Sequence, residues 1–172
     1  IPAEQREKTQ PPMPNYIQSA AVVMDNATGA LLAVVGGRDA EESKLNRAIQ
    51  SRRQTGSLFK PFVYATFFQQ GNSADTRISD DRIAHGEIRG AANWSPRNSD
   101  GTYRGMKPAS FGLILSRNTM SVRIGNRAGL GNVIQSAELA GFHGNVSKTP
   151  ALFLGTWEAS PPVSYTHLTL PT

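Results

Sequence analysis

The sequence predicts a mixed α/β fold, an α+β arrangement in which a small amount of sheet accompanies several helices. Three observations lead there: two apolar, β-branched runs flank a turn near the start, a strongly apolar stretch with three- and four-residue spacing follows, and three shorter helical patterns fill the second half. Residues 1–15 are polar and hold Pro2, Pro11, Pro12 and Pro14, so they read as a linker or extended lead-in. From Ile17 to Met24 the chain turns apolar, Asp25-Asn26-Ala27-Thr28-Gly29 supplies turn chemistry, and Ala30 to Val35 is apolar again, which is a hairpin closed by Gly36-Gly37. A polar stretch, residues 38–53, carries the chain onward. Ser57 to Gln70 is the most apolar helix candidate: Phe59, Phe62, Val63 and Phe67 form one stripe, Leu58 and Ala65 widen it toward full burial, Pro61 sits in the first turn, and Gly71 marks the stop. Residues 72–107 are turn-rich. Helical patterns then run from Pro108 to Leu115, Thr119 to Ala128 and Leu130 to Ala140, with Ser116-Arg117-Asn118 between the first two.

Composition narrows the chemistry. The chain has 172 residues, a net charge of +5 and no cysteine, which excludes a disulfide scaffold, a thiolate zinc site and a cysteine nucleophile. The basic residues are scattered, with Arg52-Arg53 the only adjacent pair, so the charge reads as a mildly basic surface and not as a nucleic-acid footprint. No run approaches the ~20 apolar residues of a membrane span, and the start lacks both an initiator methionine and a signal-peptide pattern. The last ten residues, 163–172 (VSYTHLTLPT), fit neither a helical nor a strand period; read as codons they resemble a transposon-end adapter, and they are expected to be a tail outside the fold.

Ser57-Leu58-Phe59-Lys60 is an S-x-x-K at a helix start, which places a hydroxyl and an amine one turn apart on one face. A serine hydroxyl is a poor nucleophile until something takes its proton, and a buried lysine can have its pKa lowered enough to do so. A capping serine beside a snorkelling lysine accounts for the same four residues. Asn118 can likewise be the N-cap of the helix from Thr119. No G-x-S-x-G elbow surrounds Ser57, and His85 and His143 lie in glycine-rich turns without metal-ligand spacing, so neither a hydrolase triad nor a metal centre is expected. Gly129-Leu130-Gly131 lacks the third glycine of a dinucleotide fingerprint, and no cofactor is expected.

The flanks of these motifs resemble a known family. Arg53-Gln54-Thr55-Gly56-Ser57-Leu58-Phe59-Lys60-Pro61-Phe62 is similar to the R-Q-P-G-S-x-F-K-P-F signature of class A penicillin-binding proteins, departing only at Thr55. Residues 20–37 (AAVVMDNATGALLAVVGG) resemble that family's opening hairpin, Leu45-Asn46-Arg47-Ala48 its F-N-R-A, Trp94-Ser95-Pro96-Arg97-Asn98 its Y/W-x-P-x-N, and residues 149–155 (TPALFLG) its T-P-S-x-x-L-G. Ser116-Arg117-Asn118 matches the second motif, S-x-N. The third, K-T/S-G, is absent: Lys148-Thr149-Pro150 has proline where the cleft strand needs glycine, and it is read as the start of the T-P-x-L element.

The resemblance implies a β-lactamase/transpeptidase-like fold, a sheet flanked by helices plus an all-helical lobe, with residues 16–162 forming its N-terminal part before the later strands. It implies a serine DD-transpeptidase that cross-links peptidoglycan stem peptides through an acyl-enzyme on Ser57, with Lys60, Ser116 and Asn118 as further catalytic residues and Trp94, Asn98 and Asn118 meeting the substrate. Stem peptides ending in D-Ala-D-Ala and β-lactams would be the partners. A penicillin-sensing receptor domain, a DD-carboxypeptidase and a β-lactamase-like hydrolase are the alternatives. The resemblance further implies a glycosyltransferase domain and a membrane anchor upstream of residue 1, an extracytoplasmic location at the inner membrane, and a fragment that is inactive alone.

Overall fold

In a computed structural model of the chain, residues 16–163 are described, so the expected lead-in and all of the expected tail but Val163 lie outside the described residues. The described chain divides into two compact units, residues 16–51 with 160–163 and residues 52–159.

In the first unit the hairpin forms where the apolar runs place it. β1 (Ala21–Met24) pairs antiparallel with β2 (Leu31–Val35), Ala21 opposite Val35 and Met24 opposite Leu31, with an irregularity between Val23 and Met24. Its turn closes through Asp25, whose carboxylate accepts the Ala27 N–H at 2.8 Å and whose carbonyl accepts the Gly29 N–H at 2.8 Å. The polar stretch after it contains one turn of helix that hydrophobic periodicity had no room to signal, α1 (Arg47–Gln50). Asn46 caps it reciprocally: its side chain accepts the Ala48 N–H at 3.1 Å while its own N–H donates to Gln50 Oε1 at 2.7 Å. Asn46→Ala is expected to weaken this turn by about 1 kcal/mol, read as faster hydrogen exchange at the Ala48 amide; unchanged exchange there would show that the cap is idle.

The second unit carries two further strand pairs. β3 (Arg53–Gln54) pairs with β6 (Glu158–Ala159), and β4 (Arg77–Ser79) with β5 (Met106–Pro108), so the β-structure of the described residues consists of three separate antiparallel pairs. The predicted helix from Ser57 begins as a 3-10 turn, Gly56–Phe59, and becomes α2 (Lys60–Gln69) only at Lys60, with Pro61 in its first turn. The expected widening by Leu58 and Ala65 is not observed, since both are exposed; Tyr64 and Thr66 are buried instead. Their polar groups find partners inside, Tyr64 Oη with Ser121 Oγ at 3.3 Å and Thr66 Oγ1 with the Phe62 carbonyl at 2.7 Å, which removes the penalty for burying them.

α3 (Ala109–Ile114), α4 (Asn118–Ala128) and α5 (Leu130–Leu139) follow the predicted spans to within a residue or two. α2 packs on α4 and α5, and a second 3-10 turn, Pro150–Leu154, covers α4. Phe59, Phe62, Phe142 and Trp157 form an aromatic cluster with ring centroids 5.1–6.2 Å apart. Helix α4 and the second 3-10 turn approach so closely at Gly125 that a Cβ there would lie 2.4 Å from the Phe153 ring. This buried frame fixes both chain segments that carry the candidate site.

Candidate active site

The chain enters the S-x-x-K through Gly56, whose φ of +54° lies in the left-handed region that glycine adopts without strain. Ser57 follows, exposed, and its hydroxyl has no hydrogen-bond partner among the described residues. Its N–H lies in the first helical turn, where backbone donors lack an intrahelical acceptor. The turn is held from behind: the Gly56 N–H donates to the Gly155 carbonyl at 2.9 Å, and Thr55 donates both its N–H (3.0 Å) and its hydroxyl (3.2 Å) to the Trp157 carbonyl. Thr55 thus makes a backbone bond that a proline in its place would lack.

One turn on, Lys60 is 2% exposed, a burial unusual for lysine. Its ammonium donates to the Ser116 carbonyl at 2.6 Å, Ser116 Oγ at 2.9 Å and Asn118 Oδ1 at 2.7 Å. All three donor positions of the charged form are therefore used. Burial, and secondarily the positive charge of Arg117, lower the Lys60 pKa from the ordinary 10.5 to about 8. A lysine so placed exchanges its proton near physiological pH, one helical turn from a serine whose hydroxyl has no partner among the described residues.

The S-x-N residues sit where α3 gives way to α4, as the sequence places them. Ser116 is exposed and has φ +52°, a conformation strained for a residue with a Cβ. Asn118 is the first residue of α4 and not its N-cap, because its side chain turns away from the helix end: Oδ1 takes the Lys60 ammonium and Nδ2 donates to the Arg97 carbonyl at 2.8 Å.

Arg117, between them, points into the interior. Its Nε lies 3.1 and 3.0 Å from the two Asp80 oxygens, its Nη2 2.8 Å from Asp80 Oδ2, and its Nη1 2.8 Å from Asp100 Oδ2. Asp80 is fully buried. Burial alone would raise its pKa, but hydrogen bonds from Arg117, Thr119 and Asn98 outweigh it and hold the carboxyl below the usual carboxylate value.

Asn98 belongs to this buried cluster: Nδ2 donates to Asp80 Oδ1 (2.8 Å) and the Thr102 carbonyl (3.0 Å), and Oδ1 accepts the Thr119 N–H (3.2 Å). Trp94 is half-buried and its N–H closes a turn on Ala91, with no hydrogen bond or ring contact to Ser57, Lys60, Ser116 or Asn118. The geometry thus brings Lys60, Ser116 and Asn118 into direct contact, places Ser57 one helical turn away, and leaves Trp94 and Asn98 outside that group. The sequence reading missed Asp80, Arg117 and the Arg97 carbonyl. Two adjacent acidic residues in a turn-rich stretch, and the variable position of a three-residue motif, offered no signal for them.

Comparison with known proteins assigns the chain to a family and a fold. Residues 19–148 match the family described as the penicillin-binding protein transpeptidase domain. The chain is similar to penicillin-binding protein 1A of Neisseria meningitidis (40% identity over 149 residues, 84% of this chain and 18% of that protein). It is also similar to penicillin-binding protein 1B of Haemophilus influenzae (33% identity, 85% of this chain and 19% of that protein). The chain therefore spans under a fifth of the length of these relatives. The crystal structure of penicillin-binding protein 1A from Haemophilus influenzae superposes with a TM-score of 0.78 at 34% identity, covering 86% of this chain and 22% of that one. The PonA1 protein of Mycobacterium tuberculosis in complex with penicillin V shares the fold, with a TM-score of 0.72 at 23% identity over 88% of this chain and 43% of that one.

Proposed function

Because the chain belongs to the penicillin-binding protein transpeptidase family, we propose that it carries the acylation half of a serine DD-transpeptidase, with Ser57 as the nucleophile and residues 16–162 as the N-terminal part of that domain. The observation that carries this reading is the buried Lys60 ammonium held by Ser116 and Asn118, one helical turn from an exposed Ser57 whose hydroxyl has no hydrogen-bond partner among the described residues.

In this reading the neutral Lys60 amine takes the Ser57 proton as Ser57 Oγ bonds to the penultimate D-Ala carbonyl of a stem peptide. The C–N bond to the terminal D-Ala then breaks, and the proton passes from Lys60 through the Ser116 hydroxyl to the departing amine. An amine of a neighbouring stem attacks the resulting ester, forms the cross-linking amide and returns a proton to Ser57. Asn118 holds the amine through Oδ1 and is itself held by the Arg97 carbonyl through one Nδ2 hydrogen, which leaves the second Nδ2 hydrogen to meet the substrate. The Ser57 N–H would supply one oxyanion donor. Asn98, its polar atoms occupied internally, would act by holding the loop that follows Trp94, with Trp94 the member of that pair left to meet substrate.

A β-lactam presents the same reactive carbonyl and would stop at the acyl-enzyme. The parent protein is proposed to act on the periplasmic side of the inner membrane, anchored and joined to a glycosyltransferase domain; among the described residues no helix is long and apolar enough to cross a membrane. Intact-mass and peptide mapping of the full-length protein after exposure to penicillin is expected to show one adduct, on Ser57, that Ser57→Ala removes. An adduct elsewhere on a folded protein overturns the assignment. Product analysis with an added acceptor amine then separates transfer from hydrolysis.

A further inference from the structure

We propose that Asp80, which makes no hydrogen bond to Ser57, Lys60, Ser116 or Asn118, is the positioning residue of this site, its buried carboxylate fixing every segment that supplies Lys60 with a partner. The carboxylate accepts from Arg117 Nε (3.1 and 3.0 Å), Thr119 Oγ1 (2.7 Å), Asn98 Nδ2 (2.8 Å) and the Arg104 N–H (3.0 Å), and it forms an ion pair with Arg117 Nη2 at 2.8 Å. Three of these donor residues are chain neighbours of the groups around the ammonium. Arg117 lies between Ser116 and Asn118, Thr119 follows Asn118, and Asn98 follows Arg97, whose carbonyl takes Asn118 Nδ2.

The need for such an anchor is visible at Ser116. Its left-handed backbone is sparsely populated for serine and persists only where the surroundings over-determine it. Around it, the Arg117 N–H donates to the Gly112 carbonyl at 2.8 Å, and Ser121 donates its N–H (3.1 Å) and hydroxyl (2.7 Å) to the Arg117 carbonyl. These bonds set the backbone path, but the rotation of the Ser116–Asn118 pair about that path is set by the Arg117 side chain that leaves it, whose Nε ends on the buried Asp80 while its Nη1 and Nη2 reach the half-exposed Asp100 and the Thr102 carbonyl. Asp80 is fully buried and Arg117 5% exposed, so no water replaces either partner when the other is removed. After burial, the Arg117 charge is the second cause that lowers the Lys60 pKa, so the side chain that orients the loop also acts on the ammonium.

The inference rests on Ser57 being the acylated residue, and its test separates the two. In the full-length protein, wild type, Asp80→Asn and Thr119→Val are acylated with penicillin across pH 6–10, with the rate normalised to folded protein by near-ultraviolet circular dichroism and to the final Ser57 adduct. A purely structural carboxylate changes the folded fraction and leaves the rate per folded molecule and its pH profile alone. A positioning carboxylate lowers that rate, by about 10- to 100-fold in Asp80→Asn and several-fold in Thr119→Val, and displaces the rising limb of the profile while the adduct still forms on Ser57. Thr119→Val keeps shape and loses one donor, so it decides the question should Asp80→Asn fail to fold. Thr119→Val rates within twofold of wild type, on the same limb, overturn the inference while leaving Ser57 in place; absence of a Ser57 adduct in wild type overturns both.

Discussion

Lys60→Arg in the full-length protein is expected to slow acylation of Ser57 by a β-lactam by about 10²- to 10⁴-fold, the range lost when a positioned proton acceptor is removed. The substitution separates the two roles a buried cation has here. Arginine keeps the positive charge that meets the Ser116 carbonyl and Asn118 Oδ1, yet it stays protonated throughout the accessible range and accepts no proton. Lysine differs because its burial brings the pKa from 10.5 to about 8, which raises the neutral fraction at pH 7 from about 0.03% to about 10%.

The sign of the pH dependence follows. The neutral amine is the competent form, so the wild-type acylation rate rises with pH and levels off above about 8, whereas the Lys60→Arg rate is flat through that region. The same shift acts on stability. Folding depresses the lysine pKa, so the unfolded chain binds more protons between pH 8 and 10.5, and this group makes the fold more stable as pH rises through that window. Lys60→Gln, which removes the charge at similar length, is expected to abolish that stability slope. Should Lys60→Arg acylate at the wild-type rate with the wild-type rising limb, Lys60 is not the base.

What the sequence made legible was the part of the site in which residue type and local order carry the chemistry. Ser57 and Lys60 are recognisable because a helical turn brings positions i and i+3 together whatever the rest of the chain does. Ser116 and Asn118 are recognisable because their motif falls between two helical patterns, and the structure puts that connection on the Lys60 ammonium. Long-range structure was not legible. β3 and β6 are two residues each and about a hundred apart in the chain, too short for an alternating pattern and too distant for a turn signal. Asp80 and Asp81 are indistinguishable as letters, but one is fully buried under donors from Arg117, Thr119, Asn98 and Arg104 and the other is exposed. Asn118 shows the limit of a local rule: an asparagine before a helix reads as a cap, and here a buried ammonium competes successfully for its oxygen.

Gly155→Ala is expected to lower stability by at least about 3 kcal/mol, a drop in Tm of about 6–12 °C, and to slow acylation of Ser57 in whatever protein remains folded. Gly155 ends the second 3-10 turn in a left-handed conformation, φ +83° and ψ +45°, which alone costs alanine about 1–2 kcal/mol. The larger cost is contact. A Cβ at this position would stand 2.0 Å from the Gly56 oxygen, 2.5 Å from its nitrogen and 2.6 Å from its carbonyl carbon. All three are backbone atoms, so no side chain can rotate away and the two segments must separate. Separation stretches the bond from the Gly56 N–H to the Gly155 carbonyl and draws with it the turn that presents Ser57. Lys60 is held independently by Ser116 and Asn118 on the other side, so the serine moves relative to its base. Gly56→Ala is the control: its φ of +54° imposes the same conformational cost, but a Cβ there meets nothing within 4 Å. The contact argument therefore requires Gly155→Ala to lose clearly more stability than Gly56→Ala in paired thermal melts; equal losses would reduce Gly155 to a conformational requirement and remove the backbone contact as the brace behind Ser57.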